Sequence, residues 1–171
     1  NTYIIGANGA LTELSGSTVT AGSTPESVTV DPSGRFVYVA NRVSGDVYTY
    51  SIADNGVLTP LGSPILLPSG ELPPYPETIA ADPLGRFVYV ANWGAHTVSA
   101  FKIGVDGMLT DVPESPIGTG FNPYSVTVDP SGSFVYAVND GDGVDPGTVF
   151  AYSVGPDGLL TYIADSPAGI L

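Results

Sequence analysis

The sequence predicts an all-β protein of β-propeller type, and three observations carry that prediction. First, the stretch Asp31-Pro32-Ser33-Gly34-Arg35-Phe36-Val37-Tyr38-Val39-Ala40-Asn41 returns with few changes from Asp82 to Asn92 and from Asp129 to Asn139. Second, Gly9-Ala10-Leu11-Thr12 returns as a Gly-x-Leu-Thr motif at Gly56, Gly107 and Gly158, with spacings of 47, 51 and 51 residues. Third, 22 Gly and 16 Pro among 171 residues punctuate short β-branched and aromatic runs and leave little room for helices. A repeat of this length built of strands alone is the signature of a propeller blade.

Taken in order, the chain opens in mid-blade. Thr2-Tyr3-Ile4-Ile5 matches the end of a third strand, Thr49-Tyr50-Ser51-Ile52, and Leu11 to Leu14 matches a fourth, so residues 1–16 are expected to be an outer half-blade. Residues 25–63 predict a complete blade with strands Glu26 to Val30, Phe36 to Ala40, Asp46 to Ile52 and Leu58 to Leu61. Residues 76–115 predict the next, with Glu77 to Ala81, Phe87 to Ala91, Thr97 to Ile103 and Leu109 to Val112. The last, 123–165, has Tyr124 to Val128, Phe134 to Val138, Thr148 to Val154 and Leu159 to Ile163. In each copy Asp-Pro and the Gly two places on set a tight turn, and Phe-Val-Tyr supplies a strand whose two sides are both apolar, as expected when neighbouring blades cover both faces. The whole chain, 1–171, therefore reads as one propeller domain of 14 strands, three complete four-stranded blades and an N-terminal half-blade. A ring takes about four to eight blades. The expected partner is thus a second copy of the chain, in a homo-oligomer, or additional chain that completes the ring.

Seventeen acidic residues against four basic ones leave a net charge of −13. The only cations, Arg35, Arg42, Arg86 and Lys102, cannot assemble the basic stripe that nucleic acid requires. No apolar run reaches the roughly 18 residues of a membrane span, which argues against insertion. The absence of Cys removes thiolate chemistry and Cys-ligated zinc. Low Lys with abundant Gly, Thr, Ser and Pro leans toward an extracellular or cell-surface protein.

The repeat is broken in two places, and both breaks fall on one face. From the Gly of Gly-x-Leu-Thr to the Pro that opens the next blade takes 16 residues for Gly9 to Pro25 and Gly107 to Pro123, but 20 for Gly56 to Pro76. Asn41 to Val47 and Asn92 to Val98 are six apart, whereas Asn139 to Val149 are ten. Antiparallel order puts these loops on the same side of the disc, and loops held by a rigid scaffold are where function concentrates. There Glu26 and Glu77 begin first strands at the channel mouth, with Tyr124 in the third such position. Asn41, Asn92 and Asn139 end second strands, where Asn braces turns or meets a ligand. Arg42, Trp93 and His96 do not recur and are candidates for specificity, Trp93 as a surface on which a sugar stacks. Asp140, Asp142 and Asp145 put hard oxygen donors on a Gly-rich loop that suits Ca²⁺, an ion taking about six to eight oxygens, although the spacing is not that of an EF-hand.

Assembled in this register, the repeat resembles the lactonase-type seven-bladed propellers and the surface propellers named for Tyr-Val-Thr-Asn repeats. Tyr38-Val39-Ala40-Asn41 and Tyr89-Val90-Ala91-Asn92 carry that element, and Tyr136-Ala137-Val138-Asn139 departs from it. The resemblance implies hydrolysis or isomerisation of a sugar-acid lactone, with Glu26 or Glu77 as general base, His96 as acid or base and Arg42 as electrostatic stabiliser. A sugar phosphate fits poorly on a face with one Arg amid carboxylates. Against this stands the reading that near-identical blades, an incomplete ring and few catalytic residue types favour: a non-catalytic extracellular module for binding or self-assembly, with a small-molecule or carbohydrate ligand. The lactonase is the alternative. The start at Asn1 adds a third reading, an engineered or truncated repeat protein.

Overall fold

Each turn of the repeat is built around its Asp. The Asp31 carboxylate accepts the N–H groups of Ser33, Arg35 and Phe36 at 3.0, 2.8 and 2.7 Å. The Asp129 carboxylate receives those of Ser131, Ser133 and Phe134 at 3.0, 2.8 and 2.8 Å. Gly34, Gly85 and Gly132 sit at φ of 71°, 71° and 69°, where a side chain would be strained, and each donates its N–H to the Asp carbonyl. A strand launched from such a turn leaves in a fixed direction, so one local device, used three times, sets the start of every second strand.

The computed structural model describes residues 2–16, 18–163 and 168–169. Residue 1 of the expected half-blade and residues 164 and 165 of the expected last blade lie outside the described residues. The protein is all-β. β1 (Tyr3–Ile5) and β2 (Leu11–Glu13) form an antiparallel pair by themselves. The first blade comprises β3 (Pro25–Val30), β4 (Phe36–Asn41), β5 (Asp46–Ile52), β6 (Leu58–Pro60) and β7 (Ile65–Leu66). The second comprises β8 (Pro76–Ala81), β9 (Phe87–Asn92), β10 (Thr97–Ile103), β11 (Leu109–Asp111) and β12 (Ile117–Gly118). The third comprises β13 (Pro123–Val128), β14 (Phe134–Asn139), β15 (Thr148–Val154), β16 (Leu160–Tyr162) and β17 (Ala168–Gly169). Among the described residues there are thus 17 strands where the repeat predicts 14, because the fourth strand of each complete blade is broken in two. In the first blade β6 pairs with Tyr50–Ile52, the chain turns at Gly62 (φ 62°), and β7 pairs with Asp46–Val47 at the other end of β5. The first blade therefore continues past residue 63, and the second past 115, by one short outer segment each.

The innermost strands stand side by side, with β8 between β3 and β13. Their facing edges carry N–H groups that no strand ladder uses, and hydroxyls of the preceding blade accept them. Ser27 Oγ takes the N–H of Ile79 at 3.2 Å, Thr29 Oγ1 that of Ala81 at 3.4 Å, and Thr78 Oγ1 that of Val126 at 2.9 Å. The hydroxyls of Ser27, Thr29 and Thr78 thus seam the blades where no ladder joins them.

The core lies between blades. Alternate residues of β9 point to opposite sides, so Val88 and Val90 pack with Phe36 and Tyr38 of the first blade, while Phe87 and Tyr89 pack with Val135 and Tyr152 of the third. At each junction a Phe covers a turn Gly of the next blade. A Cβ added at Gly107 would lie 2.3 Å from the Phe36 ring, and one at Gly158 would lie 2.4 Å from Phe87. Phe134 and Tyr136 occupy the same positions in the third blade, yet they are 39% and 37% exposed, since no further blade covers them among the described residues.

Candidate functional site

The face that carries the inserted loops is shaped by three backbone turns of one kind. Asn41, Asn92 and Asn139 pair with Pro25, Pro76 and Pro123, so second strands end where first strands begin. The residue after each Asn donates its N–H to the residue before each Pro: Arg42 to Thr24 O at 2.7 Å, Trp93 to Tyr75 O at 3.0 Å, and Asp140 to Asn122 O at 3.0 Å. Thr24, Tyr75 and Asn122 reach that geometry at φ of 57°, 44° and 57°. The left-handed conformation costs a side-chain-bearing residue about 1–2 kcal/mol, and the recovered hydrogen bond offsets it. The result is a rim on which residues 42, 93 and 140 are held at equivalent places.

Arg42 uses its place to cross to the second blade. Its Nε donates to Oε1 of Glu77 at 2.6 Å, and its guanidinium lies 5.1 Å from the centre of the Tyr75 ring. Glu77 is 9% exposed, so the pair is shielded on one side. The hydrogen bond that Arg42 donates to Glu77, together with the fields of Glu77 and Glu26, holds its guanidinium above its ordinary basicity. Arg42, Glu77 and Glu26 are thus gathered at the mouth. Tyr75 stands next to them and touches Trp93 edge-on at 6.5 Å between ring centres. It is not among the residues that spacing suggests, although its position before Pro76, aligned with Thr24 and Asn122, marks it.

The insertion of residues 66–75 carries Tyr75 into place. Gly94 donates its N–H to Pro74 O at 2.9 Å, and Cβ atoms added at Gly45 or Gly94 would collide with Pro74 or with the Pro73 carbonyl. With the β4–β5 turn the loop encloses an open groove of about 430 Å³ lined by Val43, Gly45, Leu67, Leu72 and Pro74 among others.

The other predicted residues are placed differently. His96 does not join the glutamates. Its Nδ1 accepts the N–H of Asn122 at 3.1 Å, and its ring meets Phe121 edge-on at 5.2 Å, so it braces the approach to the third blade. It stands at φ 55° where the first blade has Gly45 at 67°, a correspondence visible by aligning Asn41–Asp46 with Asn92–Thr97. Asn41, Asn92 and Asn139 are buried and turned into their own hairpins. Asn41 donates to Asp46 Oδ1 at 2.8 Å, Asn92 to Ser99 Oγ at 2.8 Å, and Asn139 to Thr148 Oγ1 at 3.2 Å. That burial makes them braces and leaves them no surface for a ligand. Tyr124 is 54% exposed. In the 140–147 loop, Oδ1 of Asp142 accepts the N–H groups of Asp145 and Val144 at 2.7 and 2.9 Å, bonds that hold its carboxyl below the usual carboxylate range. Among the described residues no three His, Cys, Asp or Glu side chains converge as a metal cluster, those of Asp140, Asp142 and Asp145 included.

Blades seamed side by side, with an ion pair and aromatic rings at one end, define a partial β-propeller. The chain belongs to the family described as lactonase, 7-bladed beta-propeller, which it matches over residues 1–72 and 75–153. It is 31% identical over 127 residues to a 6-phosphogluconolactonase of Yersinia enterocolitica, a match covering 74% of this chain and 35% of that one. It is 27% identical over 148 residues to a probable 6-phosphogluconolactonase of Arthroderma benhamiae, covering 81% of this chain and 37% of that one. Among solved structures it resembles a putative 6-phosphogluconolactonase of Bacteroides uniformis, with a TM-score of 0.80 at 18% identity, over 99% of this chain and 51% of that one. It also resembles the periplasmic gluconolactonase PpgL of Pseudomonas aeruginosa, with a TM-score of 0.69 at 25% identity, over 86% of this chain and 42% of that one. The chain spans about a third of the length of these curated relatives. These findings correct the expectation of a non-catalytic module. The relatives carry the names of lactonases, and the lactonase alternative fits them. The few catalytic residue types that favoured a binding module were counted over part of a ring, which is no measure of what a whole mouth offers.

Proposed function

We propose that the mouth hydrolyses the lactone of a sugar acid. The observation that carries this reading is the Arg42–Glu77 pair, 2.6 Å across the first blade junction, with Glu26 beside it through the pairing of Pro25 with Asn41, in a chain of the lactonase family. Ester hydrolysis needs a base to take a proton from water and a positive group where the carbonyl oxygen gains charge. Glu26, exposed at its strand start, is the base. Water loses a proton to it and adds to the lactone carbonyl carbon, and the oxyanion faces Arg42. Collapse breaks the bond to the ring oxygen, which takes the proton back from Glu26 and leaves the open hydroxy acid. Glu77 is a positioning residue, holding the guanidinium in one orientation.

The test is hydrolysis of a panel of sugar lactones by this chain and its variants. Arg42→Ala is expected to lose roughly 100-fold or more in kcat, and Glu26→Gln a comparable factor. Glu77→Gln is expected to lose less, with Arg42 freed to move. Turnover no faster than the spontaneous reaction, or equal in all four proteins, would refute the reading.

A further inference from the structure

Arg42 and Glu77 have counterparts one blade on, and they are aromatic. Trp93 follows Asn92 as Arg42 follows Asn41, and Tyr124 follows Pro123 as Glu77 follows Pro76. The equivalence is one of structure as well as spacing. Trp93 N bonds Tyr75 O as Arg42 N bonds Thr24 O, and Pro123 pairs with Asn139 as Pro76 pairs with Asn92. The two pairs are also joined. Tyr75 lies under the Arg42 guanidinium at 5.1 Å and beside Trp93 at 6.5 Å. Across the seam, the hydroxyl of Thr78, next to Glu77, approaches the Tyr124 carbonyl at 3.3 Å. One junction of the mouth is therefore charged and the adjoining one is aromatic, with Tyr124 exposed and Trp93 half-buried.

Charge bears on what such a mouth accepts. Of the four basic residues, Arg35 and Arg86 belong to the Asp-Pro turns at the opposite end, and Lys102 pairs with Phe87 at the start of β9, near that same end. Arg42 is the one basic residue on the part of the mouth that these blades form, and Glu77 holds it. There a phosphate dianion would meet one engaged cation beside Glu26 and Asp140. An uncharged sugar ring would meet faces on which its C–H edges stack.

We infer that Trp93 and Tyr124 form a stacking subsite that seats an unphosphorylated sugar lactone with its carbonyl toward Arg42. The inference rests on the lactonase reading above and adds to it the substrate class and two specificity residues. Trp93 is the only Trp of the chain, so its fluorescence reports the subsite directly. The probe is 1,5-anhydroglucitol, a neutral pyranose with no carbonyl to hydrolyse, titrated into the unaltered protein and into Tyr124→Ala. A saturable change that is weakened in the variant is expected. In kinetics, glucono-lactone is expected to be preferred over its 6-phosphate by at least about tenfold in kcat/KM. Trp93→Ala and Tyr124→Ala are expected to raise KM by roughly 3- to 10-fold with little change in kcat, and Trp93→Phe, which keeps a flat ring, to stay near the original KM.

The outcomes separate the two claims. Hydrolysis with KM indifferent to Trp93→Ala and Tyr124→Ala, or with the 6-phosphate preferred, overturns the subsite and leaves the lactonase reading standing. A saturable fluorescence response without turnover of any lactone supports the subsite and removes the lactonase reading. Neither response nor turnover ends both.

Discussion

Between the first and second blades the charged reach is made at the mouth, from Arg42 to Glu77; between the second and third it is made at the base, where Arg86 crosses to the Gly132 carbonyl at 2.7 Å. The apolar part of the two junctions is the same: a Phe over a turn Gly, with alternate β9 residues shared between them. The polar part is not. Tyr38 donates its hydroxyl to Gly107 O at 3.1 Å, whereas the buried Tyr89 hydroxyl has no partner among the described residues. Packing between blades is thus the conserved duty of the repeat within this chain, and polar contacts are free to move from end to end. With Arg86 fastening the second junction from below, its mouth is left to Trp93 and Tyr124.

Four measurements test this contrast. The largest effect belongs to the shared packing. Phe87→Ala removes a ring that is 2% exposed, with an expected loss of about 3–5 kcal/mol in denaturant unfolding, and Phe36→Ala an only slightly smaller one. A loss below about 1 kcal/mol for either would mean that the junctions are not held by this contact.

The base is next. Arg86→Ala strands the carboxylate of Asp82, which is fully buried and bonded by Arg86 Nε at 2.7 Å, and should cost about 2–3 kcal/mol, scaled down because Arg86 itself is partly in water. Arg42→Ala should cost about 1–2 kcal/mol of stability, so that its kinetic loss exceeds its structural one. Equal stability losses would undo the division between a fastening base and a working mouth.

The hydroxyls give a smaller difference of opposite kinds. Tyr38→Phe is expected to cost about 1 kcal/mol. Tyr89→Phe, which deletes an unpartnered buried hydroxyl, is expected to be neutral or stabilising. A matching loss in both would show that Tyr89 has a partner after all.

The last effect is present at neutral pH and fades in acid. The Ser131 hydroxyl, helped by the N–H groups of Phe134, Ser131 and Ser133, brings the Asp129 carboxyl down to about 2 from an ordinary 3.8. A depressed carboxyl stabilises the fold above its unfolded value and ceases to do so as pH falls through its folded value. Asp129→Asn should therefore be less stable than the unaltered protein above about pH 4, with the gap closing toward pH 2. A gap that persists at pH 2 would mean that the carboxylate charge is not what holds the turn. Asp31 is lowered as well: burial pushes it up, and the Ser33 hydroxyl with the N–H groups of Phe36, Ser33 and Arg35 outweighs that.

Much of this architecture was legible in the linear chain because its causes are local. An Asp that accepts the N–H groups of the next few residues, a Gly at positive φ and an alternating β-branched strand act within a dozen positions, so the repeat names the turn, the strand and the blade. The break in each fourth strand was less visible, since its second part is held by the far end of the third strand. Arg42, Glu77 and Glu26 were readable as residents of one face. Their union was not, because it depends on β8 standing beside β3 and on a side chain that spans 35 residues of sequence. Nor could spacing tell that His96 braces a loop while Arg42 reaches a carboxylate, though both stand out equally as residues that do not recur.

By itself, then, the sequence determined the all-β repeat, the register of its turns and strands, and the face on which the long loops lie, through backbone preferences and hydrogen bonds of short range. Which rim residues meet depends on how the blades pack: Arg42 with Glu77 and Tyr75, Tyr75 with Trp93, Asn41 with its own hairpin. Those pairings follow from how far one blade is turned against the next, a quantity set by the packing of Phe36 and Phe87 on distant glycines.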